Sequence, residues 1–226
     1  DLFPHALSSH PLPDAKTDVT ADPAEPFPRY WAGIPAAFLA TLALGLMLDG
    51  SDRDLFMLIN GASTGWLPPA LWSAISLSGS VLGMIALLAP TLKTQPRWLA
   101  AAFLAAPVGV LFSQGGKRVF DVMRPAGVLE PGSFQQIGQK LYVHSFPSGH
   151  ATTAFVVAAV LILAWPRPET RGRAALAFLA LAILIGLSRI AVGAHWPLDV
   201  LVGAAGGWVA GGLGVCGTDQ HEEFLR

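Results

Sequence analysis

The chain has 226 residues, of which 53% are hydrophobic and only 13% are charged. A soluble domain usually carries about 25% charged residues, so the composition indicates a membrane protein rather than a large soluble core. The net charge of -1 provides no basic field for nucleic acid, and a single cysteine, Cys216, excludes an intrachain disulfide and a thiolate metal cluster.

The N-terminal segment, residues 1–29, contains six prolines among Asp, Ser and Ala. Such a mixture cannot bury a core, so we predict a flexible Pro-rich tail that carries no chemistry. No cleavable signal peptide is expected, because the first apolar run starts only near Tyr30. We expect one membrane domain at residues 30–216 and a short C-terminal tail at residues 217–226.

Six apolar segments predict an all-α bundle of six transmembrane helices. A bilayer core needs about 20 apolar residues per helix, within a range of about 17 to 25. Most of the segments fit this range, and tryptophans fall at their ends as in an interfacial aromatic belt. A short interfacial helix is expected at residues 52–60. The segments are residues 30–48, 67–90, 98–116, 151–165, 174–190 and 197–215.

Small residues recur in the last segment at Gly203, Gly207 and Gly211. Glycines four residues apart let two membrane helices approach closely. The pattern favours packing within the bundle, with a dimer face as the alternative.

The loops indicate an orientation through the positive-inside rule. With a cytoplasmic N-terminus, eight of the 14 Lys and Arg residues lie on the cytoplasmic side. The other six lie outside, and three of these belong to the polar cluster described next. We therefore expect both termini in the cytoplasm and all of the motifs at the outer face. The outer set is Arg53, Lys117, Arg118, Arg124, Lys140 and Arg189.

A long outer loop is expected between the third and fourth helices, over residues 117–149. Connections in compact proteins are typically about 4–6 residues, so a loop of this length is usually functional or disordered. Lys117 precedes Arg124-Pro125 by seven residues, and Pro125 would end any helix that carries Arg124. The basic residues could also be ordinary helix-end residues whose charged groups reach the interface. Lys140 and His144 could be specificity contacts or solvated loop residues, and we favour the latter.

The tetrapeptide Pro147-Ser148-Gly149-His150 directly precedes an apolar helix. Ser148 is a good N-cap, and free N–H groups at a helix N-terminus can bind a phosphate oxygen, with Gly149 allowing close approach. The alternative is a plain helix cap followed by an interfacial histidine.

Ser188-Arg189 ends the fifth segment, and His195 and Asp199 bracket the start of the sixth. A His and an Asp four residues apart can meet, so that the carboxylate accepts from one ring nitrogen and leaves the other as a nucleophile. A carboxylate near the start of a membrane helix is costly, and it predicts a functional site.

The three motifs together resemble the type 2 phosphatidic acid phosphatase superfamily. They are Lys117-x6-Arg124-Pro125, Pro147-Ser148-Gly149-His150 and Ser188-Arg189-x5-His195-x3-Asp199, and no position departs from the family pattern. The resemblance covers about residues 30–215 and the six-helix layout.

This resemblance implies a role for each motif residue. His195 would be the nucleophile that forms a phosphohistidine, with Asp199 orienting its ring. His150 would protonate the leaving oxygen and then activate water. The phosphate oxygens would be bound by Lys117, Arg124, Ser148, Gly149 and Arg189.

We therefore expect a metal-independent membrane phosphatase that acts without a cofactor on a lipid phosphate or diphosphate. Undecaprenyl diphosphate, phosphatidylglycerophosphate, phosphatidic acid and lipid A phosphates are the candidate substrates implied by the family. The expected location is a bacterial inner membrane with the site at the periplasmic face. The alternatives are a phosphotransferase that uses the same site and a non-catalytic lipid-phosphate-binding protein. No nucleic-acid partner is expected, and the sequence does not indicate an oligomeric state.

Overall fold

The computed structural model describes residue 31, residues 33–91 and residues 93–224, with side chains as far as residue 220. In this part of the chain every regular element is helical, and the predicted tail at residues 1–29 lies outside it. The α-helices are α1 (Ile34–Asp49), α2 (Asp52–Trp66), α3 (Pro69–Ser78), α4 (Val81–Leu88), α5 (Pro96–Phe120), α6 (Pro125–Val128), α7 (Gly149–Leu163), α8 (Pro168–Ala191) and α9 (Pro197–Phe224).

The all-α prediction is confirmed, whereas the count of six membrane spans stays a prediction. By length and composition, α5, α8 and α9 can each cross a membrane. The pairs α1–α2 and α3–α4 bend by 110° and 72°, and the count rises to five if each pair is one span. Helix α7 is apolar but has only 15 residues, fewer than a straight span needs.

The predicted second segment is divided into α3 and α4 at Gly79 and Ser80. The Ser80 hydroxyl accepts from the Gly83 N–H at 3.1 Å and so caps α4. A Cβ on Gly79 would collide with Ile185 of α8 and lie 3.5 Å from the His150 Cβ. The break therefore lets this helix pair approach the helices that carry the motifs. A helix is present where a short one was predicted, although α2 continues to Trp66 rather than ending at residue 60, and its interfacial position stays a prediction.

The prediction that Lys117 opens the long loop is wrong. Helix α5 runs through Pro107 and ends only at Phe120, where Asp121 takes a left-handed backbone conformation with φ 42°. Lys117 thus lies in the last helical turn, and the connection to α7 starts at Asp121 and includes the short helix α6. The C-terminal boundary also differs, because α9 continues to Phe224 through most of the segment expected as a tail.

The glycine face of α9 packs on α7, which confirms the prediction of packing within the bundle. A Cβ on Gly203 would lie 2.6 Å from the Ser148 carbonyl, and a Cβ on Gly207 would collide with the Thr152 carbonyl. On Gly211 it would lie 2.6 Å from the Val156 carbonyl. Two backbones can come this close only where one helix lacks side chains. Helix α7 itself is buried along nearly all of its length.

These packings bring four helix ends together. The last turns of α5 and α8 meet the first turns of α7 and α9 at one end of the bundle. The Ser148 N–H donates to the Asp199 carbonyl at 3.0 Å, and the Ala194 N–H donates to the Arg189 carbonyl at 3.0 Å. All three motifs therefore lie at the same end.

Candidate active site

His195 and Asp199 form the buried centre of the site, on either side of the start of α9. The Nδ1 atom of His195 lies 3.2 Å from Oδ2 of Asp199, and both residues are almost fully buried. A carboxylate can only accept, so Nδ1 carries the proton and Nε2 presents a lone pair. The predicted pairing is present, and it leaves Nε2 available as a nucleophile.

The Asp199 carboxylate is held by two further donors. Its Oδ2 accepts from the Trp196 N–H at 2.9 Å and from the Ser145 hydroxyl. The Ser145 oxygen also lies 3.5 Å from Nδ1 of His195, and Ser145 is completely buried. Because three donors converge on one oxygen, the orientation of the carboxylate is fixed before substrate arrives. The sequence analysis did not identify Ser145, which lies two residues before the Pro147 motif.

Arg124 lies next to the second ring nitrogen of His195. Its Nη1 is 3.3 Å from Nε2 of His195 and donates to the Ala194 carbonyl at 2.9 Å. Its Nε donates to the Val143 carbonyl at 3.0 Å, and Nη2 is 3.4 Å from the His144 carbonyl. Neutral carbonyls hold the guanidinium, and no salt bridge to a carboxylate is present among the described residues. Its positive charge is thus not neutralised by a paired carboxylate.

Lys117 and Arg189 complete the cationic set from two other helices. Nζ of Lys117 donates to the His144 carbonyl at 3.3 Å. Nη1 of Arg189 donates to the Ser76 hydroxyl, whereas its buried Nε has no hydrogen-bond partner among the described residues. A buried donor without a partner is costly, and a phosphate oxygen would satisfy it. Ser76 of α3 is a second residue that the sequence did not reveal.

Ser148 caps helix α7 with its hydroxyl and contacts α9 through its backbone N–H. Its hydroxyl accepts from the Ala151 N–H at 3.5 Å, as the N-cap prediction required. Its own N–H is already bonded to the Asp199 carbonyl. The helix geometry leaves the N–H groups of Gly149 and His150 without intrahelical acceptors. These two amides, rather than the Ser148 amide, are available to an anion.

His150 lies in the first turn of α7, half-buried and beside the break at Gly79. The positive charges of Arg189, Lys117 and Arg124 all act on its ring. The arrangement thus groups a second imidazole with the same cations that surround His195.

The surroundings of His195 keep its ring neutral. Complete burial, and then the charges of Arg124 and Arg189, hold the pKa of His195 well below its usual range. A neutral imidazole with a fixed tautomer is the form that can attack an electrophile.

Two polar residues of α2 form hydrogen bonds with backbone groups of the elements that carry the site. The Asn60 amide donates to the carbonyls of Gln135, Ile190 and Ala191, and its oxygen accepts from the Gln135 N–H at 2.7 Å. It therefore ties the long loop to the end of α8. Asp52 accepts from the Leu198 N–H at 2.8 Å in the first turn of α9. Neither residue stands out in the sequence, because Asp52 lies in a run of three charged residues and Asn60 is followed by small and polar residues.

The long loop contributes mainly backbone. Lys140 is exposed, in keeping with the solvated interpretation. The His144 side chain is more than half exposed and pairs with Asp121 at 3.0 Å. Its carbonyl, in contrast, binds the cations, which is a role that the sequence could not show.

The family is decided by comparison with known proteins. A family model described as the PAP2 superfamily matches residues 95–221, which is more than half of the chain. The chain belongs to the PAP2 superfamily.

Several PAP2 relatives are named for lipid phosphatases. The chain is 40% identical over 95 residues to a lipid A 1-phosphatase from Rhizobium etli, covering 41% of this chain and 38% of that protein. It therefore spans less than two fifths of that relative. It is 30% identical over 177 residues to YbjG of Escherichia coli, a candidate undecaprenyl-diphosphatase by its name, covering 74% of this chain and 81% of YbjG.

Two crystal structures share the PAP2 fold. Aquifex aeolicus LpxE is 29% identical, with a TM-score of 0.63 over 73% of this chain and 94% of that chain. A transmembrane phosphatidylglycerolphosphate phosphatase from Bacillus subtilis has a TM-score of 0.60 at 20% identity, covering 85% of this chain and 97% of that chain, a likeness of fold alone. Together with the apolar helices, these likenesses identify an integral membrane protein.

Proposed function

We propose that this protein is a membrane phosphatase that hydrolyses a lipid phosphate or diphosphate through a phosphohistidine at His195. One observation supports this most directly. The Nδ1 atom of His195 is bound to Asp199, while Nε2 lies 3.3 Å from Nη1 of Arg124. A neutral nucleophile with a cation beside it suits attack on a phosphorus whose oxygens carry negative charge.

In the first step, the Nε2 lone pair of His195 attacks phosphorus. The bond from phosphorus to the leaving oxygen breaks, and His150 donates a proton to that oxygen. His150 takes up this proton when the substrate binds, because the negative charge of the phosphate offsets the three cations around its ring. The lipid alcohol, or the lipid monophosphate if the substrate is a diphosphate, departs. Asp199 stabilises the positive charge that develops on the ring of His195.

In the second step, water attacks the phosphohistidine. His150, now neutral, accepts a proton from the water, and the bond between phosphorus and Nε2 breaks. Inorganic phosphate is released, and both histidines return to their starting protonation states. The reaction therefore consumes one water and requires no other reactant.

The proposal includes turnover without a metal ion. Lys117, Arg124 and Arg189 would bind the nonbridging oxygens, with the amides of Gly149 and His150 at the start of α7. The unpartnered Nε of Arg189 gives one such oxygen a defined place. Among the described residues, no group of three or more His, Cys, Asp or Glu could hold a metal ion. Activity that disappears with chelator and returns with magnesium would contradict this part.

The proposed substrate class follows the names of the relatives, lipid A 1-phosphatase and undecaprenyl-diphosphatase. We further propose six crossings, in which α3 and α4 form one bent span and α2 lies at the interface. Both termini would then be cytoplasmic, and the site would face the periplasm of a bacterial inner membrane. The positive-inside count of the sequence supports this orientation.

The test compares phosphate release by the wild type and His195→Ala in detergent, with a panel of lipid phosphates and diphosphates. Arg124→Ala should lose activity, whereas Arg118→Ala, an exposed cation in the same region, serves as a matched control. Equal release by the wild type and His195→Ala would refute the nucleophile. Transfer of the phosphoryl group to an added alcohol, in place of release as inorganic phosphate, would instead identify a phosphotransferase.

A further inference from the structure

An apolar groove lies between α1, α5 and α9, outside the phosphate site. Its volume is about 650 Å³, within the range of about 300–1,000 Å³ that is usual for ligand pockets. Both long walls carry small residues, and every lining residue is apolar or glycine. The small residues are Ala36, Ala37, Ala40 and Ala43 on α1 with Ala205 and Gly206 on α9.

The upper end of the groove is lined by residues that neighbour the candidate site along the chain. Phe146 lines it two residues before Ser148, and Leu198 lines it one residue before Asp199. From Leu198 to Val209 the groove follows about three turns of α9, roughly 16 Å at a rise of about 1.5 Å per residue. One leaflet of a hydrocarbon core about 30 Å thick is about 15 Å deep. The length of the groove thus matches the thickness of one leaflet of the hydrocarbon core.

The lower end of the groove and its exposed side indicate where a hydrocarbon chain could end and where it could enter. Near its lower end, the buried Trp208 indole donates to the Trp31 carbonyl at 3.2 Å. Toward the bilayer, the lining residues Met47 and Val209 are exposed. A chain could therefore enter sideways from the membrane and end near this contact.

We propose that this groove holds a hydrocarbon chain of the substrate whose phosphate lies at His195. The inference rests on the proposed function and adds a chain-binding site to it. With the headgroup at the cations, the hydrocarbon chain would pass Phe146 and Leu198 and then lie along α9. A hydrocarbon chain that leaves the bilayer is already in an apolar medium, so the gain comes from close packing against the fixed walls of the groove. The groove would thus favour substrates with at least one chain of leaflet length.

The test narrows the groove by substitution and varies the length of the hydrocarbon chains of the substrate. Ala40→Phe and Ala205→Phe place rings between α1 and α9, while Ala180→Phe adds the same ring to an exposed position on α8. Each variant is assayed with dipalmitoyl phosphatidic acid, dihexanoyl phosphatidic acid and chain-free para-nitrophenyl phosphate. For the groove variants we expect kcat/KM to fall at least about tenfold with the dipalmitoyl substrate, because many packing contacts of its methylene groups are lost. The chain-free substrate and the Ala180→Phe variant should stay within about twofold of the wild type.

Equal loss with all three substrates, or no loss with the dipalmitoyl lipid, would overturn the groove as a chain site. A second measurement does not depend on catalysis. His195→Ala is mixed with phosphatidic acid that carries a photoreactive group in its chain, and the labelled peptides are identified. Labelling concentrated on α1 and α9 and reduced by Ala40→Phe supports the inference, and labelling spread equally over α8 contradicts it. If the wild type releases no phosphate from any probe, the proposed function fails, while the labelling still decides the groove.

Discussion

Lys117 and Arg124 donate to the same acceptor, the backbone carbonyl of His144, at 3.3 Å and 3.4 Å. One cation comes from the end of α5 and the other from the loop that follows. Like charges repel, and the shared acceptor offsets part of the repulsion between the two cations. His144 has φ 57°, a backbone conformation that points its carbonyl between them.

The first prediction concerns this backbone conformation. His144→Val should lower kcat/KM about tenfold, because a β-branched residue at positive φ costs about 1–3 kcal/mol. His144→Gly should retain activity, since glycine adopts this conformation freely and the exposed pair with Asp121 contributes little. Tyr142→Val, an exposed neighbour, is the control. A Gly variant as impaired as the Val variant would show that the side chain matters instead.

The second prediction concerns Ser145 as a positioning residue. Ser145→Ala removes a donor from the buried Asp199 carboxylate and should lower kcat about 10- to 100-fold, since such bonds contribute about 1.5–3 kcal/mol. KM should change little, because Ser145 does not reach the phosphate. Ser145→Thr, which keeps the hydroxyl, should recover part of the rate. A change confined to KM, or to thermal stability, would exclude the positioning role.

The third prediction concerns the tautomer of His195. Asp199→Asn keeps the size of the side chain but can present an amide donor to Nδ1, which would move the ring proton to Nε2. We expect kcat to fall by at least about 10³-fold in both Asp199→Asn and His195→Ala. Rapid acid quench should trap labelled phosphoenzyme in the wild type and none in His195→Ala. Undiminished labelling of His195→Ala would place the covalent intermediate elsewhere.

The fourth prediction follows from the lowered pKa of His195. The unfolded chain protonates this histidine near its ordinary value of about 6.5, whereas the folded chain keeps it neutral to a lower pH. Between these two pKa values the unfolded state binds more protons, so the free energy of unfolding falls as pH falls below about 6.5.

Thermal unfolding in detergent at several pH values measures this effect. His195→Asn lacks the titrating ring and should show a shallower loss of stability between about pH 6.5 and pH 5. An identical slope in both proteins would mean that other groups cause the acid sensitivity.

The sequence predicted much of the site because its residues are close along the chain or fall at consecutive helix ends. His195 and Asp199 are four residues apart at a helix start, so local geometry alone lets them meet. The order of apolar segments also predicted that the motifs would gather at one end of the bundle. Ser76 and Asn60 could not be predicted in the same way. Each is an ordinary polar residue whose role depends on a contact with a distant part of the chain.

The boundaries of some helices also depend on contacts with distant parts of the chain, which the sequence pattern does not show. Ser78-Gly79-Ser80 is a short polar run typical of a turn, but the apolar residues on both sides of it favour one continuous helix. The bend depends on Ile185 of α8 and His150 of α7, which occupy the space that a side chain at Gly79 would fill. Lys117 was placed in the loop because it is charged, whereas α5 extends to Phe120 and brings it to the site.

The contact of α7 with the glycine face of α9 has a consequence for biogenesis. The cations of α5 and α6 are synthesised before the last helix, which follows His195 and carries Asp199. The Ser148–Asp199 backbone bond forms only when Gly203 and Gly207 seat α9 against α7. A nascent chain that stops before α9 therefore lacks the His195–Asp199 pair. Under the proposed function, the site is completed only when the final helix docks against α7.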